Sequence, residues 1–179
     1  MASDSQEAFE LLLQMDRQNL ERRRVAEEMQ QESGRTQYIR YRVGRNLFLI
    51  AVGDVIELMP MPRVTPVPFS KQWIAGVTNI RGDVYVVTDF YNFLYDEPRK
   101  ENKKNKLLVL KGDAHASLIV DEVLGMAELM KSEILEDNAN PDDLIAPFVG
   151  GAASIDSDNY FIVNLNKLVS EPRFMQAAV

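Results

Sequence analysis

Few side chains in this sequence could make or break a bond. There is no cysteine and a single histidine, His115, so thiol nucleophiles, thiolate zinc sites and disulfide frameworks are excluded together. His115 follows the Gly112-Asp113 turn with no serine–acid pair beside it, and reads as a surface histidine rather than a catalytic base. Asp142-Asp143 lies in an acidic stretch without the glycine-centred spacing of a calcium loop, so a solvated pair is expected. Gly150-Gly151 lacks the Lys-Ser/Thr that completes a phosphate loop and reads as a bend or bulge in a strand. Arg81-Gly82-Asp83 spells a tripeptide read by adhesion receptors, a chance match in an acidic chain without cysteine. Asp54 and Glu57 are the remaining carboxylates near one another, but no nucleophile, base and oxyanion donors assemble around them. The expectation is a protein with no catalytic residues, no cofactor and no metal.

Two charges stand in apolar surroundings. Glu57 interrupts Val55-Ile56-Glu57-Leu58-Met59, and Arg81 ends the stretch Ile74-Ala-Gly-Val-Thr-Asn-Ile-Arg-Gly82, where Asn79 is the only other strongly polar residue. An arginine in such a setting needs a carboxylate or carbonyl partner. Glu57 and Arg81 are expected to form a buried pair across strands; the alternative has each pointing to solvent from an alternating face.

The elements that must hold these residues are short. Residues 4–33 read as a helix, free of Gly and Pro and rich in Glu, Gln, Leu and Arg. Its apolar residues, Phe9, Leu12, Leu13 and Met15 among them, crowd the first half, which either packs on its own domain or docks a partner. From Thr36 the pattern becomes strand and turn. Strands are expected over Tyr38–Val43, Leu47–Val52 and Val55–Met59. Pro60, Pro62, Pro66 and Pro68 then keep the chain extended. Ser70 is expected to cap a short helix through Trp73 and Ile74, ended by Gly76. Val84–Val87 reads as a strand covered on both faces, and Asp89 as the cap of a helix over Phe90–Tyr95. The charged run Asp96–Lys106 reads as a solvated linker between two halves. Leu107–Lys111 and Ala116–Val120 form a hairpin, and Val123–Met130 is a further strand. Phe148–Ile155 and Tyr160–Val163 flank a polar turn, after which Asn164 caps a last helix over Leu165–Val169. Nine or ten short strands in two clusters favour small barrels over a helix-interleaved parallel sheet. The fold class is mainly β, with two SH3-like half-barrels packed on one another.

The chain of 179 residues, 46% hydrophobic and 26% charged, is long enough for one core. No run approaches the ~18 apolar residues of a membrane span, and the first ten residues are acidic, unlike an export signal. A cytoplasmic protein without direct membrane insertion is expected. The net charge of −7 argues against a nucleic-acid binder. The charge is uneven: residues 1–112 carry 17 basic and 15 acidic side chains, residues 113–179 carry 3 and 12. The acidic part either keeps the protein soluble or steers basic protein partners.

The stretch Gly76-Val77-Thr78-Asn79-Ile80-Arg81-Gly82, followed by Val84–Thr88 and Asp89-Phe90, resembles the central motif of the CheW family of bacterial chemosensory coupling proteins. Val55-Ile56-Glu57 is similar to its Val-x-Glu, Val120-Asp121-Glu122-Val123 to its Val-Asp-x-Val, and Val163-Asn164-Leu165-Asn166-Lys167-Leu168 to its closing motif. The resemblance covers residues 36–170, in order and with matching spacing. Val86 stands where the family often has proline. The leader over residues 1–35 and the proline-rich Met59–Pro68 resemble the PilI-like branch, which serves type IV pilus twitching motility.

The resemblance implies two SH3-like five-stranded barrels around a shared core, subdomains over 36–96 and 106–170, a helical leader over 1–35 and a tail over 171–179. It implies a non-catalytic adaptor joining the cytoplasmic tip of a methyl-accepting chemoreceptor to the regulatory domain of a CheA-type histidine kinase. Such a protein is cytoplasmic and recruited to membrane receptor arrays, with self-association or ring assembly left open. Carried over by position, the receptor groove involves Val55, Gly76, Val77 and Leu108, shaped by Asn79 and Arg81. There Gly76 would let a partner helix come close to the backbone. A small-barrel nucleic-acid module is the alternative, and an enzyme using Asp54 and Glu57 a distant third.

Overall fold

Alternating apolar and polar residues from Arg35 onward make strands, and paired glycine or Asx turns fold them back. The computed structural model describes residues 34–100, 102–135 and 144–176; the leader, with Phe9, Leu12, Leu13 and Met15, lies outside them, as does Asp142-Asp143. Among the described residues the strands are β1 (Arg35–Val43), β2 (Asn46–Ala51), β3 (Val55–Pro60), β4 (Ile74–Ile80), β5 (Asp83–Asp89), β6 (Lys106–Leu110), β7 (Ala116–Val120), β8 (Glu122–Met130), β9 (Val149–Ile155) and β10 (Asp158–Val163). The helices are α1 (Phe90–Tyr95), α2 (Leu165–Ser170) and α3 (Pro172–Met175). As expected, Asp89 caps α1 by accepting the Asn92 N–H at 3.2 Å, and Asn164 caps α2 by accepting that of Lys167 at 3.0 Å.

The strands form two five-stranded sheets, ordered β8-β1-β2-β10-β9 and β3-β6-β7-β5-β4. We call the first the terminal barrel and the second the central barrel. In each, the segment that leaves one edge strand returns to the opposite edge. After β3, Thr65 forms a bridge with Val77 of β4; after β8, Leu135 forms one with Ala152 of β9.

The two halves of the chain repeat one another. Gly76, Ile80, Asp83 and Tyr85 recur 75 residues on as Gly151, Ile155, Asp158 and Tyr160, at equivalent places in the β4–β5 and β9–β10 hairpins. A capped helix follows each hairpin. The halves also exchange strands: the β6–β7 hairpin completes the sheet of β3, β4 and β5, while β1–β2 completes that of β8, β9 and β10. The expected subdomains, 36–96 and 106–170, are therefore halves of the sequence but not the two barrels. Asp96–Lys106 is mostly exposed, as expected, but it is tethered rather than free. Its Arg99 is 11% exposed and pairs with Asp89 at 3.3 Å, and Lys104 pairs with Glu122 at 2.6 Å, where Arg42 also binds. The run joins α1 to β6 within the central barrel's own order of strands.

Burial explains the exchange. Alternate residues of β2, β6 and β7 serve two apolar clusters. Phe48, Ile50, Leu108, Leu110, Leu118 and Val120 enter a core shared by both barrels and the helices. Leu49 faces the terminal interior, while Leu107, Val109 and Ile119 face the central one. In the shared core Phe90 and Phe93 stack and Phe148 lies tilted against both, with ring centroids 5.7–6.3 Å apart. Val84, expected to be covered on both faces, is instead 58% exposed.

The expected helix after Ser70 is absent, and Ile74–Ile80 is strand β4. The Ser70 hydroxyl donates to the Val67 carbonyl at 2.8 Å rather than capping a helix. Phe69 has φ +58°, which turns the chain into β4.

Burial lifts the Asp89 carboxyl above the usual carboxylate range, and Arg99 offsets only part of that. A carboxyl raised on folding stabilises most below its unfolded value, and that stability is lost as pH rises through the folded value. Arg99→Ala removes the counter-charge, so it should cost about 2–3 kcal/mol at pH 7 and clearly less at pH 4, by urea denaturation. An equal loss at both pH values would show that the pairing is not what holds Arg99.

Candidate functional site

The Glu57–Arg81 pair sits where the central barrel closes. Glu57 lies on β3 opposite Val109, on the interior face. Arg81 is in the two-residue turn between β4 and β5, whose last pair is Ile80 with Asp83. Arg81 and Gly82 have φ +54° and +101°, the left-handed pattern that matches the twist of a tight hairpin. The Asn79 side chain accepts the Gly82 N–H at 3.1 Å and steadies the turn. Although β3 and β4 are opposite ends of the sheet, Arg81 Nε is 3.0 Å from Glu57 Oε2. The sheet therefore curls until its edges meet, and the ion pair spans the seam.

The expected pairing is present, but it is not a buried one. Arg81 is 76% exposed against 26% for Glu57. Glu57 Oε2 is itself out of water and makes no directed hydrogen bond. An arginine in solvent contributes little through one such contact; its use is to hold the turn against β3.

The other residues of the expected groove separate into two groups. Val55 and Val77 are half-buried, and Asn79 is exposed. Leu108 is completely buried in the shared core, so it cannot line an open groove. Gly76 is also buried, and for a different reason than a partner helix. Its φ is +146°, and a Cβ there would stand 2.7 Å from the Thr65 carbonyl carbon and closer still to the oxygen. Thr65 and Val77 exchange two backbone hydrogen bonds of 2.8 Å, and the Thr78 hydroxyl donates to the Arg63 carbonyl at 2.9 Å. The chain's own proline-rich segment occupies the space that Gly76 leaves.

Two apolar residues missed in the sequence complete the surface. Ile56 is 42% exposed and Leu58 39%. Leu58 pairs with Leu108 and Leu108 with Leu118, so Leu58 is the exposed end of an otherwise buried apolar row. The alternation around Glu57 could have found it; attention to the charge obscured it. His115 is exposed in its turn and lies against Tyr85, ring centroids 5.2 Å apart. Gly150 is the expected bulge: Ile162 pairs with Gly151 and Val163 with Val149, leaving it out. No helix among the described residues is long and apolar enough to cross a membrane.

A family profile described as "CheW-like domain" matches residues 37–173. The chain belongs to the CheW-like family. It is 31% identical to Protein PilI of Pseudomonas aeruginosa over 179 residues, 99% of each chain. With Protein FrzA of Myxococcus xanthus it shares 27% identity over 135 residues, covering 74% of this chain and 84% of that one. The solved scaffolding protein TtCheW of Thermoanaerobacter tengcongensis matches in fold with a TM-score of 0.66 at 22% identity, covering 73% of this chain and 89% of that one. The two sheets are thus the two SH3-like subdomains of the CheW fold. The family's members are non-catalytic scaffolds, and this chain is a CheW-like adaptor of chemosensory signalling.

Two outcomes follow from the seam. Gly76→Ala should cost about 2–3 kcal/mol, combining overpacking with an unfavourable backbone; a denaturation midpoint equal to the parent's would show that Thr65 moves aside freely. Reversal of Glu57 or Arg81 alone should cost no more than about 1 kcal/mol. The double variant Glu57→Arg with Arg81→Glu should recover part of it, and additive losses would mean that the two charges are not coupled.

Proposed function

We propose that this protein couples the cytoplasmic tip of a methyl-accepting chemoreceptor to the regulatory domain of a CheA-type histidine kinase, in the system controlling type IV pilus twitching motility. The extent of the likeness to PilI carries the assignment to the pilus branch. It runs over 99% of both chains and so takes in residues ahead of the CheW-like domain at 37. The likeness to CheW of Thermotoga maritima covers 67% of the chain at 22% identity.

The receptor contact is placed on the seam of the central barrel. Val55 and Val77 supply half-buried apolar area, Ile56 and Leu58 extend it, and Asn79 and Arg81 border it. Gly76 and Leu108 act from beneath, one by admitting Thr65 and the other by backing Leu58. A helix with a narrow apolar stripe suits this surface, because a few desolvated side chains carry most of the energy in such contacts. The kinase regulatory domain uses other parts of the barrels.

Leu58→Glu tests the placement without disturbing the core, since the side chain is already partly in water. Purified variant should lose at least tenfold in affinity for an isolated receptor tip in a pull-down. It should keep its thermal midpoint and its binding to the kinase regulatory domain. Receptor binding equal to the parent's would remove Leu58 from the contact; loss of neither partner on deeper mutation of Val55 and Val77 would remove the surface altogether.

A further inference from the structure

The two barrels differ at one equivalent place. In the central barrel the bulge falls at Ala75, because Ile74 pairs with Thr88 and Gly76 with Val87. Met61, Val64 and Ala75 pack there against the barrel interior. In the terminal barrel the bulge falls 75 residues on, at Gly150, which has no side chain. Ile134 packs as Val64 does. The residue standing for Met61, 70 positions on, is Lys131, and it is exposed. Thr65 and Leu135, the bridging residues, fix that alignment. A methyl group and a long unbranched side chain are therefore missing from the terminal barrel.

Beside the terminal barrel's bulge lies a cleft of about 280 Å³, with Gly150, Asp54, Ile134, Ile162 and Asn164 in its wall. Its size is at or below the lower end of drug-sized ligand pockets, roughly 300–1,000 Å³, and suits one side chain. Asp54 gives it a charge. Asp121, which directly precedes β8 as Asp54 precedes β3, accepts the Gly44 N–H at 2.6 Å through its carboxylate. Asp54 has no such partner among the described residues. Burial lifts its carboxyl above the usual range, with Lys111 only partly opposing this. Among the described residues this acid, held partly out of water in the wall of the cleft, is opposed by Lys111 alone and only in part.

We propose that this cleft receives a long cationic side chain, lysine or arginine, from a partner protein, its aliphatic stem lying along Gly150 and Ile162 and its head group on Asp54. The inference is independent of which proteins the adaptor joins.

The full-length protein is titrated with N-acetyl-lysine-methylamide while backbone amide NMR signals are followed. Shifts at Gly150, Ile162 and Asn164 should saturate on the order of millimolar concentration. They should weaken at least tenfold in Asp54→Asn, which stays folded by its spectrum, and with N-acetyl-norleucine-methylamide, which lacks the charge. Gly150→Ala, whose Cβ would meet that of Asn164 at 3.3 Å, should weaken them as well. Equal shifts with the neutral analogue, or undiminished binding by Asp54→Asn, would overturn the proposal. So would binding of free n-butylammonium without binding of a lysine held in a short alanine-rich peptide, since the cleft would then take small amines and not a protein side chain.

Discussion

Leu108 and Leu118 lie side by side on neighbouring strands with none of either exposed, because the barrel wall that carries them is also the floor of the core between barrels. β2, β6 and β7 each bury both faces, and that requirement organises everything else. A strand covered on both sides cannot alternate polar with apolar, which is why residues 107–110 and Ala116–Val120 read as near-continuous apolar runs, with only Ser117 between, its hydroxyl donating to the Val86 carbonyl. Once these strands are fixed in the middle of their sheets, the edges fall to β3 and β4, or to β8 and β9. The edge strand β3 carries the half-exposed Leu58, so the apolar surface there is a by-product of the core's geometry.

The seam shows how a barrel of five strands manages an edge. Unpaired edge strands invite association with other chains. Here the proline-rich segment bridges β4 at Val77 and leaves Ile56 and Leu58 open beside a charge pair. Gly76 makes this possible because any side chain would collide with Thr65. A residue first read as a gap for a partner is a gap already filled by its own chain. Both readings rest on the same property of glycine, and only coordinates tell which backbone comes close.

Much of the fold was legible from local chemistry. The caps at Asp89 and Asn164, the hairpin at Gly112-Asp113 and the bulge at Gly150 each follow from one residue's stereochemistry, and all are present. The pairing of Glu57 with Arg81 was legible because an isolated charge in apolar company has few ways to be stabilised. Features that depend on partners far along the chain were not. Ser70 and Gly76 look like helix punctuation unless the bridge to Thr65 is known. Leu108 enters the expected groove by resemblance alone, against the apolar run in which it stands. The charged run around Arg99 looks untethered unless Asp89 is placed beside it. The internal repeat is carried by four identities in ten positions, Gly76, Ile80, Asp83 and Tyr85, and is easily lost among ordinary strand residues.

Exchange of hairpins between the halves has a bearing on how the chain comes to its final form. β1 and β2 are synthesised before the other described strands, yet the strand that flanks β2 in its sheet, β10, follows more than a hundred residues later. Until then the two earliest strands hold an apolar ribbon with one side uncovered. The central barrel, whose strands are contiguous from β3 to β7, can close well before that. The topology thus allows one barrel to be complete while the β1–β2 hairpin still lacks its C-terminal neighbours.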